Sequence, residues 1–219
     1  MKIVALTDIH GNISAIERLA GPISEADIVL LTGDLTHFGG ADDVARVLAA
    51  VREHNRRVLA VAGNCDRRDV AEWLELEGIS LHARHEVVDG VAFVGLGGSL
   101  PAPGRTPNEF TDAELGGSLD AAAEGLDPAL PWLLVSHQPP SDTALDVVRG
   151  GMHVGSASVR RFIERHRPLA CFTGHIHEAA GMDAIGPTRM ANPGPARGGR
   201  YTYAEVTDRI EVFEVRQVE

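Results

Sequence analysis

The chain has little cysteine and no long apolar run, and both shortages narrow the class of protein. Its 219 residues include two cysteines, Cys65 and Cys171, too few and too far apart in sequence for a disulfide framework. No stretch approaches the roughly 18 consecutive apolar residues that a membrane-spanning helix needs, and the opening "MKIVALTD" lacks the pattern of a secretory signal. We therefore expect a soluble cytoplasmic protein with no membrane partner.

Positive charge is also scarce. The chain has 20 Lys and Arg residues against 31 Asp and Glu residues, which gives a formal net charge of −11. A negative surface repels phosphate backbones unless a local patch or a bound metal overrides it. This balance argues against duplex nucleic acid as the main partner and favours a small substrate.

Repeats, low-complexity runs and an interdomain linker are absent from the sequence. Hydrophobic residues make up 44% and charged residues 23%, an ordinary balance for a folded domain. A chain of this length can bury a core without disulfides or a structural metal. We expect a single domain over residues 1–219.

The first half of the chain alternates short apolar runs with helical patterns. The runs are "KIVAL" (2–6), "DIVLL" (27–31) and "RVLAVA" (57–62), and the helices are expected over 14–21, 41–53 and 67–78. This alternation predicts an α/β fold with parallel strands that are buried on both faces. Later, "EVVDGVAFVGL" predicts a hairpin at Asp89-Gly90, and Ser156 is expected to cap a helix that ends near Pro168.

Polar residues follow five of the apolar runs at the point where each run ends. The five segments are "IVALT-DIH", "IVLLT-GD", "VLAVA-GNCD", "WLLVS-H" and "ACFT-GHIH". Because ligands of α/β sheets bind outside the carboxyl ends of the strands, these endings are expected to converge on one point. The donors that they supply are Asp8, His10, Asp34, Asn64, His137, His175 and His177.

Carboxylate, imidazole and one amide form a donor set that suits Mn, Fe, Zn, Ni or Co, with manganese preferred here. Seven candidates are too many for one ion. Two divalent ions about 3.5–4 Å apart that share one carboxylate would account for seven ligands. Such centres catalyse in-line displacement at phosphorus. The sequence therefore predicts two divalent transition-metal ions as cofactors.

The blocks "DIHGN", "GDLT", "GNCD", "SHQPP" and "GHIH", in this order, resemble the calcineurin-like metallophosphoesterase superfamily. The later "NPG" at 192–194 resembles small bacterial and archaeal phosphodiesterases of that group. The resemblance implies a four-layer α/β/β/α sandwich of two mixed β-sheets flanked by helices, with a dinuclear site at one edge.

The resemblance also implies roles for single residues. It places one ion on Asp8, His10, Asp34 and His177. It places the other on Asp34, Asn64, His137 and His175, with Asp34 as the bridge. A metal-bridging hydroxide would then attack a phosphodiester such as a cyclic nucleotide.

The tetrapeptide "GNCD" departs from the family pattern at Cys65, where most members have a histidine paired with an acidic residue like Asp66. A thiol lacks the ability of imidazole to act as a cationic proton donor near neutral pH. We expect modest activity, with phosphodiesters or activated esters preferred over unactivated monoesters. Asp34, Asn64, Cys65 and Asp66 are the candidate catalytic residues.

Several alternatives remain open at this point. Asn12, His37 and His153 are candidate substrate contacts, although Asn12 also fits a helix cap and Asp66 fits a cap of the helix that follows it. A metallophosphoesterase fold that serves as a protein-interaction scaffold and a phosphomonoesterase are the alternative functions. The edge strands and the Pro-rich loop "GGSLPAPGRTPNEF" are compatible with a homo-oligomer or with a lid over the site.

Overall fold

The computed structural model describes residues 1–218. Within them, the strands in chain order are β1 (Lys2–Leu6), β2 (Ile28–Thr32), β3 (Val58–Val61), β4 (Arg84–Val88), β5 (Val91–Leu96), β6 (Trp132–Ser136), β7 (Val147–Val148), β8 (Met152–His153), β9 (Ala170–Phe172), β10 (Gly181–Ile185), β11 (Thr188–Asn192), β12 (Arg200–Val206) and β13 (Ile210–Gln217). The helices are α1 (Ile13–Arg18), α2 (Ala20–Glu25), α3 (Ala41–His54), α4 (Arg68–Leu76), α5 (Asp112–Ala123) and α6 (Ala157–His166). Short 3₁₀ turns cover His177–Ala179 and Ala196–Gly198.

Two mixed sheets form the centre of the fold. The first has the strand order β13-β12-β1-β2-β3, and the second has the order β10-β11-β9-β6-β5-β4. Strands β1, β2 and β3 are parallel to one another, as are β5, β6, β9 and β11, whereas the outer strands pair antiparallel. The predicted hairpin at Asp89-Gly90 joins β4 to β5.

Three apolar cores separate four layers, which confirms the predicted sandwich. One core lies between helices α1 to α4 and the first sheet, the second lies between the two sheets, and the third lies between the second sheet and helices α5 and α6. Strand β1 illustrates how one strand contributes to two cores. Val4 points into the first core, while Ile3 and Ala5 point into the second. Since side chains alternate along a strand, a continuous apolar run covers both faces of a central sheet.

The helices differ from the prediction at two places. The helix expected over 14–21 is two short helices joined at Leu19, with Pro22 in the first turn of α2, where its missing N–H is not needed. Helix α5 was not predicted. It begins with a capping box in which the Thr111 and Glu114 side chains bond each other's backbone N–H.

The parallel strands bring their carboxyl ends to one edge of the molecule. Backbone bonds tie the loops there together: Asp8 N–H donates to Gly33 (3.0 Å) and Gly174 N–H donates to His137 (3.3 Å). This edge carries the polar residues identified in the sequence. No described helix combines the length and the apolar character needed to cross a membrane.

Candidate metal centre

Four of the seven predicted ligands have a left-handed backbone. The φ angles are 52° at Asp8, 50° at His10, 50° at Asp34 and 68° at His175. This region is uncommon for residues other than glycine, and each such residue costs on the order of 1–3 kcal/mol. Strain at four donors shows that the surrounding structure holds these loops against their local preference.

Two glycines make room for the donors. A Cβ atom on Gly63 would collide with the backbone N and the carboxylate of Asp34, and one on Gly174 would collide with the Thr7 hydroxyl and the Asp8 carboxylate. Larger residues at these positions would displace the two carboxylates. The glycines of "GNCD" and "GHIH" are therefore explained by close approach.

Asp8, His10 and His177 form the first donor set. His177 Nε2 lies 3.1 Å from Asp8 Oδ1 and 3.3 Å from His10 Nε2. The other oxygen of Asp8 accepts hydrogen bonds from the Thr7 hydroxyl (2.8 Å) and the His175 N–H (3.1 Å). One donor atom from each of Asp8, His10 and His177 lies within 4.8 Å of the others, a separation that suits a shared cation.

His137, Asn64 and Asp34 form the second donor set. His137 Nδ1 lies 2.8 Å from the carbonyl oxygen of Thr32, so a neutral ring donates from Nδ1 and leaves Nε2 as a lone pair. His137 Nε2 lies 3.0 Å from Asn64 Oδ1 and 3.4 Å from Asp34 Oδ1. Three acceptors converge here, and a backbone carbonyl behind a histidine is the usual support of a metal ligand.

Asp34 lies between the two sets. Its Oδ2 is 3.8 Å from His10 Nε2, and its Oδ1 faces His137. Asp8 and Asp34 are buried, at 1% and 2% exposure, and in the described part of the chain their ion-pair partners are histidines rather than Lys or Arg. Buried carboxylates need a compensating charge, so the residues present suit divalent cations.

The pKa values of three predicted ligands favour the forms that bind metals, whereas the hydrogen bond to Asp8 raises the pKa of a fourth, His177, whose proton a cation would have to displace. Burial opposes ionisation of Asp8, but the hydrogen bond from His177 and the charges of His137 and His177 lower its pKa to about 2. Burial, together with the charge of His137, lowers the pKa of His175 to about 4, and burial also lowers the pKa of His10. Ionised carboxylates and neutral imidazoles are the forms that bind metals.

His175 completes the set of seven. Its ring centroid lies 5.2 Å from that of His137. All seven predicted ligands thus lie at the same edge of the two sheets. Their assignment to particular ions belongs to the proposal below.

The remaining residues of "GNCD" support the turn. Asp66 is fully buried and accepts hydrogen bonds from the N–H groups of Leu35 (3.0 Å), Thr36 (2.7 Å) and Gly63 (2.8 Å). It does not cap the next helix, whose N-cap is Arg67. Burial and the charge of Asp34 outweigh these bonds and raise its pKa to about 6.

Cys65 is half-buried and lies beside the cluster. Its N–H donates to Asp34 Oδ1 (2.8 Å), and its Sγ lies 3.6 Å from Asn64 Nδ2. Burial and the negative charge of Asp34 raise the pKa of the thiol. Cys171, by contrast, is fully buried in the third core, as predicted.

The three candidate substrate contacts lie in different settings. Asn12 Oδ1 accepts from the Ala15 N–H (3.1 Å) and caps α1. The exposed His37 ring packs edge-on against His10, with 5.5 Å between centroids. His153 is exposed in the β7–β8 hairpin, with its Nδ1 2.7 Å from Asp146 Oδ1, and β7 contacts the 3₁₀ turn that begins at His177.

Asn108 is a site-supporting residue that sequence reasoning missed. Its side-chain amide donates to the Gly63 carbonyl (3.0 Å), and its backbone N–H donates to the Asn64 carbonyl (3.1 Å). The Pro-rich loop is thereby attached to the turn that carries the Asn64 ligand. An Asn within a Gly/Pro-rich stretch gives no sequence signal of such a contact.

Comparison with known proteins agrees with this geometry. The model of the calcineurin-like phosphoesterase family matches residues 1–179. The chain belongs to this family. It is therefore a member of a group of metal-binding phosphoric ester hydrolases, and the resemblance read from the five motifs is confirmed.

Relatives extend over nearly the whole chain. An uncharacterised protein of Methanocaldococcus jannaschii is 37% identical over 199 residues, which cover 89% of this chain and 88% of the relative. A crystal structure from Thermus thermophilus has a TM-score of 0.76 at 20% identity and covers 100% of this chain and 99% of that one. An archaeal phosphodiesterase has a TM-score of 0.58 at 14% identity and 99% coverage of both chains. At identities of 20% and 14%, the similarity to these two structures shows a shared fold and no more.

Proposed function

We propose that the protein is a dinuclear metal-dependent phosphodiesterase that hydrolyses small phosphodiesters such as cyclic nucleotides. The observation that carries this proposal is the arrangement of Asp34, whose two carboxylate oxygens face different donor sets. One oxygen faces His10 and the other faces His137. A carboxylate in this position can bridge two cations.

The first ion would lie on Asp8, His10, Asp34 and His177, and the second on Asp34, Asn64, His137 and His175. When bound, two divalent ions, of which manganese is our first choice, lower the pKa of water and polarise a phosphoryl oxygen. The chain holds the donors: Thr32 orients His137, Thr7 orients Asp8, and Asn108 fixes the turn of Asn64.

The preference for diesters rests on Cys65. A thiol carries no positive charge in either protonation state, so Cys65 cannot supply the cationic donor that an imidazolium would be. A missing general acid costs on the order of 10²–10⁴ in rate. The cost is most severe for the poor leaving groups of unactivated monoesters. An archaeal phosphodiesterase among the proteins of this fold is compatible with this substrate class.

The test is hydrolysis of 3′,5′-cyclic AMP and of 5′-AMP, an unactivated monoester of the same nucleoside, by metal-stripped protein that is titrated with Mn²⁺. We expect metal-dependent turnover that favours the diester. Asp34→Asn should reduce turnover by more than about 100-fold, because even loss of a residue behind a ligand costs 10–100-fold. Asp120→Asn, an exposed carboxylate on α5, is the matched control and should retain activity.

Three outcomes would overturn the proposal. Stoichiometric Mn²⁺ binding without turnover of either ester would favour an interaction scaffold. Metal-dependent turnover that favours the monoester would indicate a phosphomonoesterase. Equal activity of Asp34→Asn and Asp120→Asn would remove the bridging role from Asp34.

A further inference from the structure

A row of aromatic rings leads outward from the ligand cluster. The His37 ring packs edge-on against His10 at 5.5 Å between centroids, and the Phe38 ring packs edge-on against His37 at 4.7 Å. Phe38 is therefore two ring contacts away from a proposed metal ligand. Both outer residues belong to the loop that follows β2.

The side chain of Phe38 is exposed to solvent, and its backbone has an unfavourable left-handed conformation. Its side chain is 49% exposed, and its φ angle is +59°, a conformation that is a genuine outlier for a bulky residue. Its N–H donates to the Cys65 carbonyl (3.1 Å), which fixes the loop against the "GNCD" turn. Neither burial nor backbone preference explains a phenylalanine here, and such outliers cluster at ligand contacts.

A cavity of about 230 Å³ is lined by His10 and His37, and Phe38 lies outside this lining, next to it through its ring contact with His37. It is bounded by His10, Thr36, His37 and the ion pair of Arg46 with Asp43. The cavity thus begins at a proposed ligand and continues past an imidazole to a cation and a carboxylate. Its polar lining offers both donors and acceptors to a group bound there.

We propose that His37 and Phe38 form a subsite for a planar ring on the alcohol part of the phosphodiester, of which a nucleobase is the biological form. This inference rests on the proposed function, since it assigns the substrate class of the same site. Edge-to-face rings leave an exposed aromatic face on which a planar group stacks. Base stacking on aromatic side chains tolerates any base, while Asp43 and Arg46 can bond the edge of the base.

The subsite distinguishes nucleotide esters from aliphatic esters of the same charge. An aliphatic phosphate would reach the ligand cluster but would leave the Phe38 face in water. A nucleotide would bury that face in addition. Both ligands carry the phosphate and only the nucleotide carries the ring, so the affinities of the two ligands separate the contribution of the phosphate from that of the ring.

The test is calorimetric binding of thymidine 5′-monophosphate and ethyl phosphate to Mn²⁺-loaded protein. We expect the wild type to bind the nucleotide more tightly than ethyl phosphate. Phe38→Ala should weaken nucleotide binding by about 5- to 150-fold and leave ethyl phosphate unchanged. Phe38→Trp should restore nucleotide affinity, and Leu76→Ala, at an exposed apolar residue of α4, should alter neither ligand.

A companion variant separates binding from folding. Phe38→Gly removes the ring and also relieves the left-handed backbone, so its melting temperature should equal or exceed that of the wild type while nucleotide affinity falls as in Phe38→Ala. A lower melting temperature in Phe38→Gly would show that the ring serves stability and would overturn the inference.

The two ligands also separate failure of the subsite from failure of the proposed function. If neither ligand binds the Mn²⁺-loaded protein, the metal-dependent phosphate site is refuted, and the subsite with it. If ethyl phosphate binds but the nucleotide gains nothing, or if Phe38→Ala weakens both ligands equally, the subsite is refuted while the phosphodiesterase proposal stands.

Discussion

The two loops beside the ligand cluster each contain a buried aspartate that accepts three backbone N–H bonds, but Asp146 also pairs with an exposed histidine, whereas Asp66 has no such pair among the described residues. In the turn 63–66, the carbonyls of Gly63 and Asn64 bond to Asn108, and the carbonyl of Cys65 accepts from Phe38. The Cys65 N–H donates to Asp34. Residues from separate elements of the fold thus bond the individual carbonyl and N–H groups of this turn.

The loop 142–155 is organised around Asp146, and further bonds tie it to Asp183, Glu178 and Arg160. The fully buried carboxylate of Asp146 accepts from the N–H groups of Asp142 (3.1 Å), Thr143 (2.9 Å) and Gly155 (2.9 Å), and it pairs with the exposed His153. The loop reaches the cluster through β7, which contacts the turn that begins at His177.

This difference predicts which property each loop controls: chemistry and metal affinity in one case, and stability in the other. In the turn 63–66, several partners from other parts of the chain fix the position of the predicted ligand Asn64, so one substitution should change chemistry or metal affinity with little effect on the rest of the fold. In the loop 142–155, the Asp146 carboxylate joins the two ends of the loop through N–H bonds and pairs with His153, so the protonation state of His153 should change stability. Three substitutions test this contrast.

The largest effect is expected at Cys65. Cys65→His introduces an imidazole at the position where most family members have one, in a turn whose backbone is already fixed. We expect turnover of 5′-AMP, an unactivated monoester, to rise by about 100-fold or more, since a general acid contributes 10²–10⁴-fold and a poor leaving group needs it most. The measurement is kcat for monoester and diester at saturating Mn²⁺.

Cys65→Ser is the control for this substitution, because it keeps a small uncharged group at the same position. It should leave both rates near the wild-type values. If Cys65→His also leaves monoester turnover unchanged, the missing imidazole does not determine the ester preference.

A smaller effect is expected at Asn108. Asn108→Ala removes the side-chain bond to the Gly63 carbonyl and leaves the backbone bond to Asn64 in place. Loss of a partner behind a ligand typically lowers metal affinity by about 10–100-fold. Calorimetric titration with Mn²⁺ measures this change.

Asn55 provides a matched control for Asn108. Its side-chain amide donates to the carbonyls of Ile23 (3.0 Å) and Ala26 (2.7 Å), at a half-buried position between α2 and α3. Asn55→Ala should lower stability and leave Mn²⁺ affinity intact. An equal loss of affinity in both variants would mean that Asn108 acts through general stability.

Much of the site could be predicted because its signal is local. Each ligand follows an apolar run directly, and the carboxyl ends of parallel strands meet at one edge, so sequence position translates into spatial position. The parallel strands that are buried on both faces follow from the same runs, as the alternating faces of β1 show, whereas the two sheets and four layers were expected from the family resemblance.

The supporting residues could not be predicted because their partners are distant in sequence. Asn108 bonds residues 45 positions away, and Asp66 bonds Thr36, 30 positions away. The exposure and backbone strain of Phe38 are likewise set by the packing of its loop against Cys65. Helix α5 is different, since its capping box at Thr111 and Glu114 is a local signal that the preceding Pro-rich stretch obscured.

The smallest effect is expected at His153, in the loop that is organised around Asp146. The hydrogen bond to Asp146 raises the pKa of His153, and the bonds to His153 and the backbone lower that of Asp146 against its burial. A histidine with a raised pKa contributes stability that is fully present below its ordinary pKa of about 6.5 and is lost as the pH rises through the raised value. Asp146 stays ionised throughout this window, so the change belongs to His153.

His153→Asn should therefore lower the melting temperature by up to a few degrees at about pH 6 and by less at about pH 9, a small change because the ring is exposed. Thermal unfolding at both pH values measures it. His85→Asn is the control, because His85 contacts the carbonyl of Ala122 (2.8 Å) rather than a carboxylate. Equal losses for His153→Asn at both pH values would show that the ion pair does not hold the loop, and the contrast with the turn 63–66 would then be lost.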